Sequence, residues 1–234
     1  MTNFDLKSKY NVSGYSDNSS SHSNQLYAIL KKLDQGKRLE PEEFTWLYCE
    51  KLFKREGDIF IAYHEIEATF YERVYKRTGN KWNLANASSH WRSADQAERA
   101  LKLTDNLKFD EIESNKLKSA LSTTRGGAFR DMDKLDEAEY CALQAIEYFS
   151  SSHYPYTLMG ALCYQRREYG EGDRWFRKAI KRGASPRDQD AEIKRVIKQA
   201  DKVERRNILA HILKTDSQRY KWAKKFIEAI EKKR

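Results

Sequence analysis

His64-Glu65-Ile66-Glu67 sets an imidazole beside two carboxylates, the residue types that a zinc centre or an acid–base pair uses. A helical zinc site needs a second His one turn further on. Ala68, Thr69 and Phe70 follow instead, so the HExxH pattern is not met. The five His residues, His22, His64, His90, His153 and His211, show no ligand spacing, and neither a metal nor a cofactor is expected. Thr123-Thr124-Arg125-Gly126-Gly127 resembles a phosphate loop only on the surface, because no GxxxxGK[ST] pattern surrounds it. Gly127 leaves two readings open: a tolerated neighbour of Gly126, or a site where another group approaches the backbone closely. GxSxG is missing, and no Cys–His pair has a recognisable spacing, so no catalytic residue is assigned.

Composition frames these elements. Charged residues make up 34% of the 234 positions, and Pro and Gly number only 3 and 10, which favours long helices with polar surfaces over strands. Cys49, Cys141 and Cys163 are odd in number and form no CxxC, so free buried thiols in a reducing compartment are expected. Neither a signal peptide nor a run long enough to span a bilayer is evident, and the expected location is cytoplasmic, with no membrane partner. The net charge of +9 is uneven: Ala191–Arg234 holds 14 Lys/Arg against 6 Asp/Glu. That basic field suits nucleic acid, acidic proteins or anionic lipid, or is a solvated helix surface.

Residues 1–23 end in SDNSSSHS and read as a disordered arm, with a docking strip at Phe4 to Tyr10. Residues 24–79 read as an N-terminal helical segment. Leu26, Ile29, Leu30 and Leu33 mark one helix; Pro41 opens a second, with Phe44, Leu47 and Tyr48 on its face. Ile59, Tyr63, Ile66, Phe70 and Val74 mark a third, closed by Gly79.

From residue 80 the chain repeats itself. Gly126 and Gly160 lie 34 residues apart, as do Phe129 and Cys163, Leu135 and Tyr169, and Ala145 and Ala179. In each copy a small residue in the first helix precedes one in the second by 12: Gly126 and Ala138, Gly160 and Gly172. Ala85 and Ala97 show the same spacing upstream, with about seven residues inserted before Gly126. Small residues at such positions let two antiparallel helices approach closely, and neighbouring pairs then stack to bury their apolar faces.

This pattern resembles the tetratricopeptide repeat family, carried by Tyr156, Met159, Gly160, Gly172, Phe176, Ala179 and Pro186 in the third copy. Gly126, Phe129, Ala138, Ala142 and Ala145 carry it in the second, and Trp82, Leu84, Ala85, Ala97 and Leu101 in the first. The resemblance covers residues 80–186. It implies an all-α fold of antiparallel helix pairs stacked in a right-handed superhelix, with extra N-terminal helices and basic capping helices over 187–234. It also implies an interaction scaffold, not an enzyme, that holds a peptide or helix of another protein in a concave groove. By alignment the groove positions are Trp82, Asn86, Ser89 and His90; then Thr123, Gly127, Arg130 and Asp131; then Thr157, Ala161, Tyr164 and Gln165. A Tyr-rich groove (Tyr154, Tyr156, Tyr164) would also suit a sensor of short signalling peptides. The alternative function is a nucleic-acid-associated protein using Arg205, Arg206, Lys221, Lys224, Lys225, Lys232, Lys233 and Arg234.

Overall fold

The computed structural model describes residues 2–15 and 20–231, with side chains described for all of these except 20, 21, 225 and 228–231. Among the described residues every regular element is a helix, and the helices pack in roughly antiparallel pairs. The chain divides into two compact units: residues 1–111 with 127–133, and residues 112–126 with 134–234.

The first unit opens with α1 (Asn3–Lys9), α2 (Ser20–Asp34), α3 (Pro41–Cys49) and α4 (Asp58–Thr78). Of the stretch 1–23 read as a disordered arm, residues 1 and 16–19 lie outside the described residues, and the docking strip read at Phe4 to Tyr10 falls on α1 and its C-cap. Thr2 and Asp5 form a reciprocal capping box, and Leu6 and Tyr10 bury against Leu26, Ile29, Leu30, Leu33, Leu47 and Ile59. Two apolar side chains one helical turn apart outweigh the polar composition around them. Helix α4 ends as the sequence indicates, with Gly79 in the left-handed region at φ 69°. The unit continues with α5 (Trp82–Ser93), α6 (Ala97–Lys102) and a 3-10 turn (Phe109–Glu111).

The second unit holds most of α7 (Asn115–Asp131), with α8 (Leu135–Tyr148), α9 (Tyr154–Gln165) and α10 (Tyr169–Ile180). It ends with α11 (Pro186–Gln199), α12 (Lys202–Thr215) and α13 (Lys221–Glu231). Ile193, Val196, Ile197, Ile208, Leu209, Ile212, Tyr220 and Ala223 from these last helices form one core with Ala161, Tyr164 and Phe176. No helix among the described residues is long and apolar enough to cross a membrane. The three cysteines are free, but only Cys141 and Cys163 are buried; Cys49 is exposed, against expectation.

The helix contacts explain the small residues. A Cβ on Gly126 would stand 2.9 Å from the Ala138 carbonyl oxygen. A Cβ on Gly160 would stand 2.7 Å from the Phe176 ring, and one on Gly172 would stand 2.5 Å from the Tyr164 ring. Gly126/Ala138 and Gly160/Gly172 therefore nest as the repeat requires.

The first copy has a different register from the one expected. Each first helix ends in the same turn, whose middle residue has positive φ: Asp95 at 61°, Asp133 at 60° and Arg167 at 68°. Each of these residues donates its N–H three residues back, to Arg92, Arg130 and Tyr164 respectively. Counting back seven from each turn gives Ser88, Gly126 and Gly160; counting forward five gives Ala100, Ala138 and Gly172. Ser88 and Ala100 are wholly buried, whereas Ala97 is only partly so. By this register Ser88 and Ala100, not Ala85 and Ala97, are the equivalents of the two later nests, and the extra stretch before Gly126 is four residues, not seven. A shift of three leaves the residues on nearly the same helix face, so both pairs keep the 12-residue spacing.

Candidate interaction surface

Helix α5 turns Leu84, Ala87, Ser88 and Trp91 inward. Trp91 is held at both polar and π faces: its Nε1–H donates to Glu72 at 2.5 Å, and the Arg99 guanidinium lies 3.5 Å over its ring. The opposite face presents Trp82, Asn86 and Ser89, all exposed, at i, i+4 and i+7. These three expected groove residues therefore form one continuous solvent stripe, with an indole that is 38% exposed.

The fourth expected member, His90, does not join them. It is half-buried, with its Nδ1 2.8 Å from Nδ1 of His64 on α4. Its ring stacks on Tyr71, while His64 packs against Phe60, Phe53 and Tyr63. Burial pushes both imidazoles below the usual His range, and the neighbouring His90 and Arg55 help hold His64 down at about 4. Both rings are therefore neutral near pH 7. On the same unit Arg38 grips Glu67 with a two-pronged contact at 2.6 and 2.8 Å and lies 3.8 Å over the Phe70 ring.

Gly127 and Asp131 do structural work within the first unit. Arg92 donates Nε–H to Asp131 at 2.9 Å, and its guanidinium occupies the space beside Gly127 where a Cβ would stand. A Cβ at Gly127 would fall 2.1 Å from Nη1 of Arg92. Of the two readings left open at Gly127, close approach of another group is the observed one. Arg130 is 5% exposed, so it is a buried residue and not a groove contact. Asp131 also borders an open depression of about 630 Å³ lined by Asp95, Gln96, Glu98, Arg99, Lys102 and Met132.

In the second unit Thr123 and Thr157 are half-buried, and their hydroxyls bond back to the carbonyls of Ser119 and His153. Gln165 is half-buried and Ala161 wholly buried. Tyr164 is also wholly buried: its hydroxyl donates to Asp173 Oδ1 at 2.7 Å, and Asp173 Oδ2 lies 2.8 Å from His211 Nε2. Burial and the Asp173 carboxylate push the Tyr164 phenol far up. Tyr156 is buried as well, so Tyr154 alone of the three expected tyrosines is exposed. The alignment placed these side chains outward, whereas His90 is met by α4, Gly127 and Asp131 by Arg92 of α5, and Tyr164 by residues of α10 to α13.

The basic helices are partly committed. Arg205 donates to the Lys198 carbonyl at 2.8 Å. Lys194 sits 4.6 Å over the Trp222 ring, whose Nε1–H donates to Asp190. Arg206, Lys221 and Lys224 are exposed. The Lys225 side chain and residues Lys232, Lys233 and Arg234 lie outside the described residues.

Sequence reasoning named His64, Glu67 and His90 singly but missed their pairing, His64 with His90 and Glu67 with Arg38. Their one signal is the aromatic density of α4, where Phe60, Tyr63, Phe70 and Tyr71 surround His64 and Glu67. No family model matches this chain, and neither curated proteins nor solved structures give a match.

Proposed function

We propose that this protein is an interaction scaffold of tetratricopeptide-repeat type, its helix pairs stacked as a superhelix, binding a peptide or helix of another protein. The observation that carries this reading is the threefold recurrence of one turn, at Asp95, Asp133 and Arg167, with close helix contacts at Gly126/Ala138 and Gly160/Gly172 and the buried small residues Ser88 and Ala100 at the equivalent positions of the first copy. Helix pairs built this way cannot bury their own apolar faces alone, and the stacked array presents an extended surface. The Trp82–Asn86–Ser89 stripe is the contact strip we assign, on its exposure and not on the repeat register, which keeps only Ser89 among the groove positions: it joins an exposed indole to hydrogen-bonding side chains outside the first helix pair's core. Placing a photo-crosslinking residue at Ser89 and identifying the captured peptide tests the assignment. Trp82→Ala with Asn86→Asp should cut partner recovery about tenfold, the scale of one lost anchor, without moving the unfolding midpoint. Recovery equal to wild type would overturn the placement on α5.

A second reading, nucleic-acid association, is favoured by the exposed Arg206, Lys221 and Lys224 within a segment of net charge +8. It predicts a gel shift at about 50 mM salt that fades steeply by about 200 mM. Absence of a shift at low salt removes it.

A further inference from the structure

The 34-residue repeat sets α8 and α10 at equivalent places in the second and third copies, and both helices pack against α9. Their buried faces match: Ala138, Ala142 and Ala145 of α8 correspond to Gly172, Phe176 and Ala179 of α10. Ile146 of α8 and Trp175 of α10 pack on one cluster with Tyr156, Ala179 and Ala184, so the two helices are neighbours. Their outward positions therefore share one side of this unit, and there the repeat changes sign. On α8 these positions are Glu137, Tyr140, Leu143 and Glu147, all exposed, with Tyr140 63% and Leu143 42% open to solvent. The equivalents on and just past α10 are Glu171, Arg174, Arg177 and Lys181, the last three exposed. Helix α8 contains no Lys or Arg. Arg166 takes two other α8 carboxylates, Asp136 and Glu139, and Arg174 pairs with Glu171. Among the described residues no ion pair holds Glu137, Glu147, Arg177 or Lys181.

We propose that the outward faces of α8 and α10 form one self-complementary docking surface whose occupant is a second copy of this chain. A two-fold contact needs a patch that can face itself, with residue i on j and j on i. A two-fold axis running along the helices, between α8 and α10, meets that need, because it lays the acidic α8 of each copy on the basic α10 of the other. Equivalent repeat positions then face each other. Glu147 meets Lys181 of the second copy, and the Tyr140 ring meets the Arg174 guanidinium in a cation–π contact. Leu143 meets the aliphatic stem of Arg177, which covers apolar surface while its charged head stays in water. An axis across the helices would instead set α8 against α8, carboxylate facing carboxylate, which opposes binding. A purely basic partner would satisfy α8 and leave Arg174, Arg177 and Lys181 unused, whereas a surface carrying both signs engages both helices. The helices span 14 and 12 residues, which is roughly 20 Å at the helical rise. With neighbouring axes about 10 Å apart the patch covers about 400 Å² per copy, half of what a standard stable interface buries on each side. Association of this size is weak, reversible and governed by salt.

Sedimentation velocity of the full chain at about 10–300 μM, in about 50 mM salt where exposed charges are least screened, tests this. The sedimentation coefficient should rise with concentration toward that of a dimer, and about 500 mM salt should return it to the monomer. Two charge-reversed chains separate this surface from any other: Glu137→Lys with Glu147→Lys on α8, and Arg177→Glu with Lys181→Glu at α10. Each should self-associate at least about tenfold more weakly than wild type, since like charges then face each other in both halves of the contact. An equimolar mixture of the two should recover wild-type association, because every acidic helix again meets a basic one. All four substituted side chains are exposed, and the wild-type concentration series decides the matter even where a variant fails to fold. A chain that stays monomeric at the highest concentration in low salt overturns the proposal. So does undiminished self-association of either variant, a mixture no stronger than its components, or growth beyond the dimer, which a head-to-tail contact would give.

Discussion

Replacing Gly127 by Ala sets two effects of opposite sign against each other. In a helix interior Ala is favoured over Gly by about 1 kcal/mol, so a Gly with open space around it would be improved by the change. At Gly127 the new methyl would stand 2.1 Å from Nη1, 2.2 Å from Cζ and 2.6 Å from Nη2 of Arg92, so the guanidinium must leave. It is tethered to Asp131, and the two side chains are 19% and 8% exposed. Removing one partner of a buried ion pair costs about 3–5 kcal/mol. A guanidinium that swings into water instead of vanishing keeps its own hydration, which reduces the loss to about half, roughly 2–3 kcal/mol. The expected net effect is a destabilisation of about 1–2 kcal/mol, read as a lower urea midpoint by far-UV circular dichroism. The same substitution made on an Arg92→Ala background meets no guanidinium and should stabilise by about 1 kcal/mol. This reversal of sign is the signature of direct contact. Stabilisation of equal size in both backgrounds would refute the argument and return Gly127 to the status of a tolerated neighbour.

Gly160→Ala should cost about 1–3 kcal/mol through collision with Phe176, whereas Gly170→Ala, with nothing within 4 Å, should be neutral or stabilising by up to about 1 kcal/mol; thermal melts of the pair distinguish contact from propensity. Ala100→Leu should destabilise by about 1–3 kcal/mol and Ala97→Leu by clearly less, because Ala100 is wholly buried and Ala97 is not; the reverse order would restore the register first expected. Burial raises the Tyr220 phenol to about 12 and the Tyr164 phenol further. The folded state therefore holds these protons more tightly than the unfolded state does, and the urea midpoint should fall as pH rises from about 10 toward about 12. Tyr220→Phe should make that fall shallower; an identical slope would place the phenol in an ordinary environment.

Periodicity made the N-terminal helices legible because their apolar faces are continuous: Leu26, Ile29, Leu30 and Leu33 all entered the core. Gly126 and Gly160 marked their nests because glycine in a helix is costly and must answer to packing. The first copy was misread by three residues because Ser88 fills the small position there, and alanine at 85 and 97 imitates the spacing. The same slip carried Trp82, Asn86 and His90 into a set to which the turn assigns Ala85, Ser89, Arg92 and Ser93. Burial of Tyr164 was illegible for a different reason. For Tyr164 the cover comes from other helices, with Asp173 on α10 and His211 on α12. The meeting of His64 and His90, 26 residues apart on separate helices, likewise depends on packing and not on local spacing.

The left-handed turn residues carry a consequence for how this chain tolerates change. Asp95, Asp133 and Arg167 share a backbone conformation with φ of 60–68° that non-glycine side chains adopt only at a cost of about 1 kcal/mol or more. Two of the three are Asp, a residue that tolerates this region comparatively well, but the third is Arg, so the helices on either side can hold the bend over more than one side chain. Polar and unbranched side chains can therefore exchange at these corners while Pro and β-branched ones cannot, and glycine or asparagine there would firm them. Descendants of such an array can drift apart letter by letter while every hinge keeps its angle.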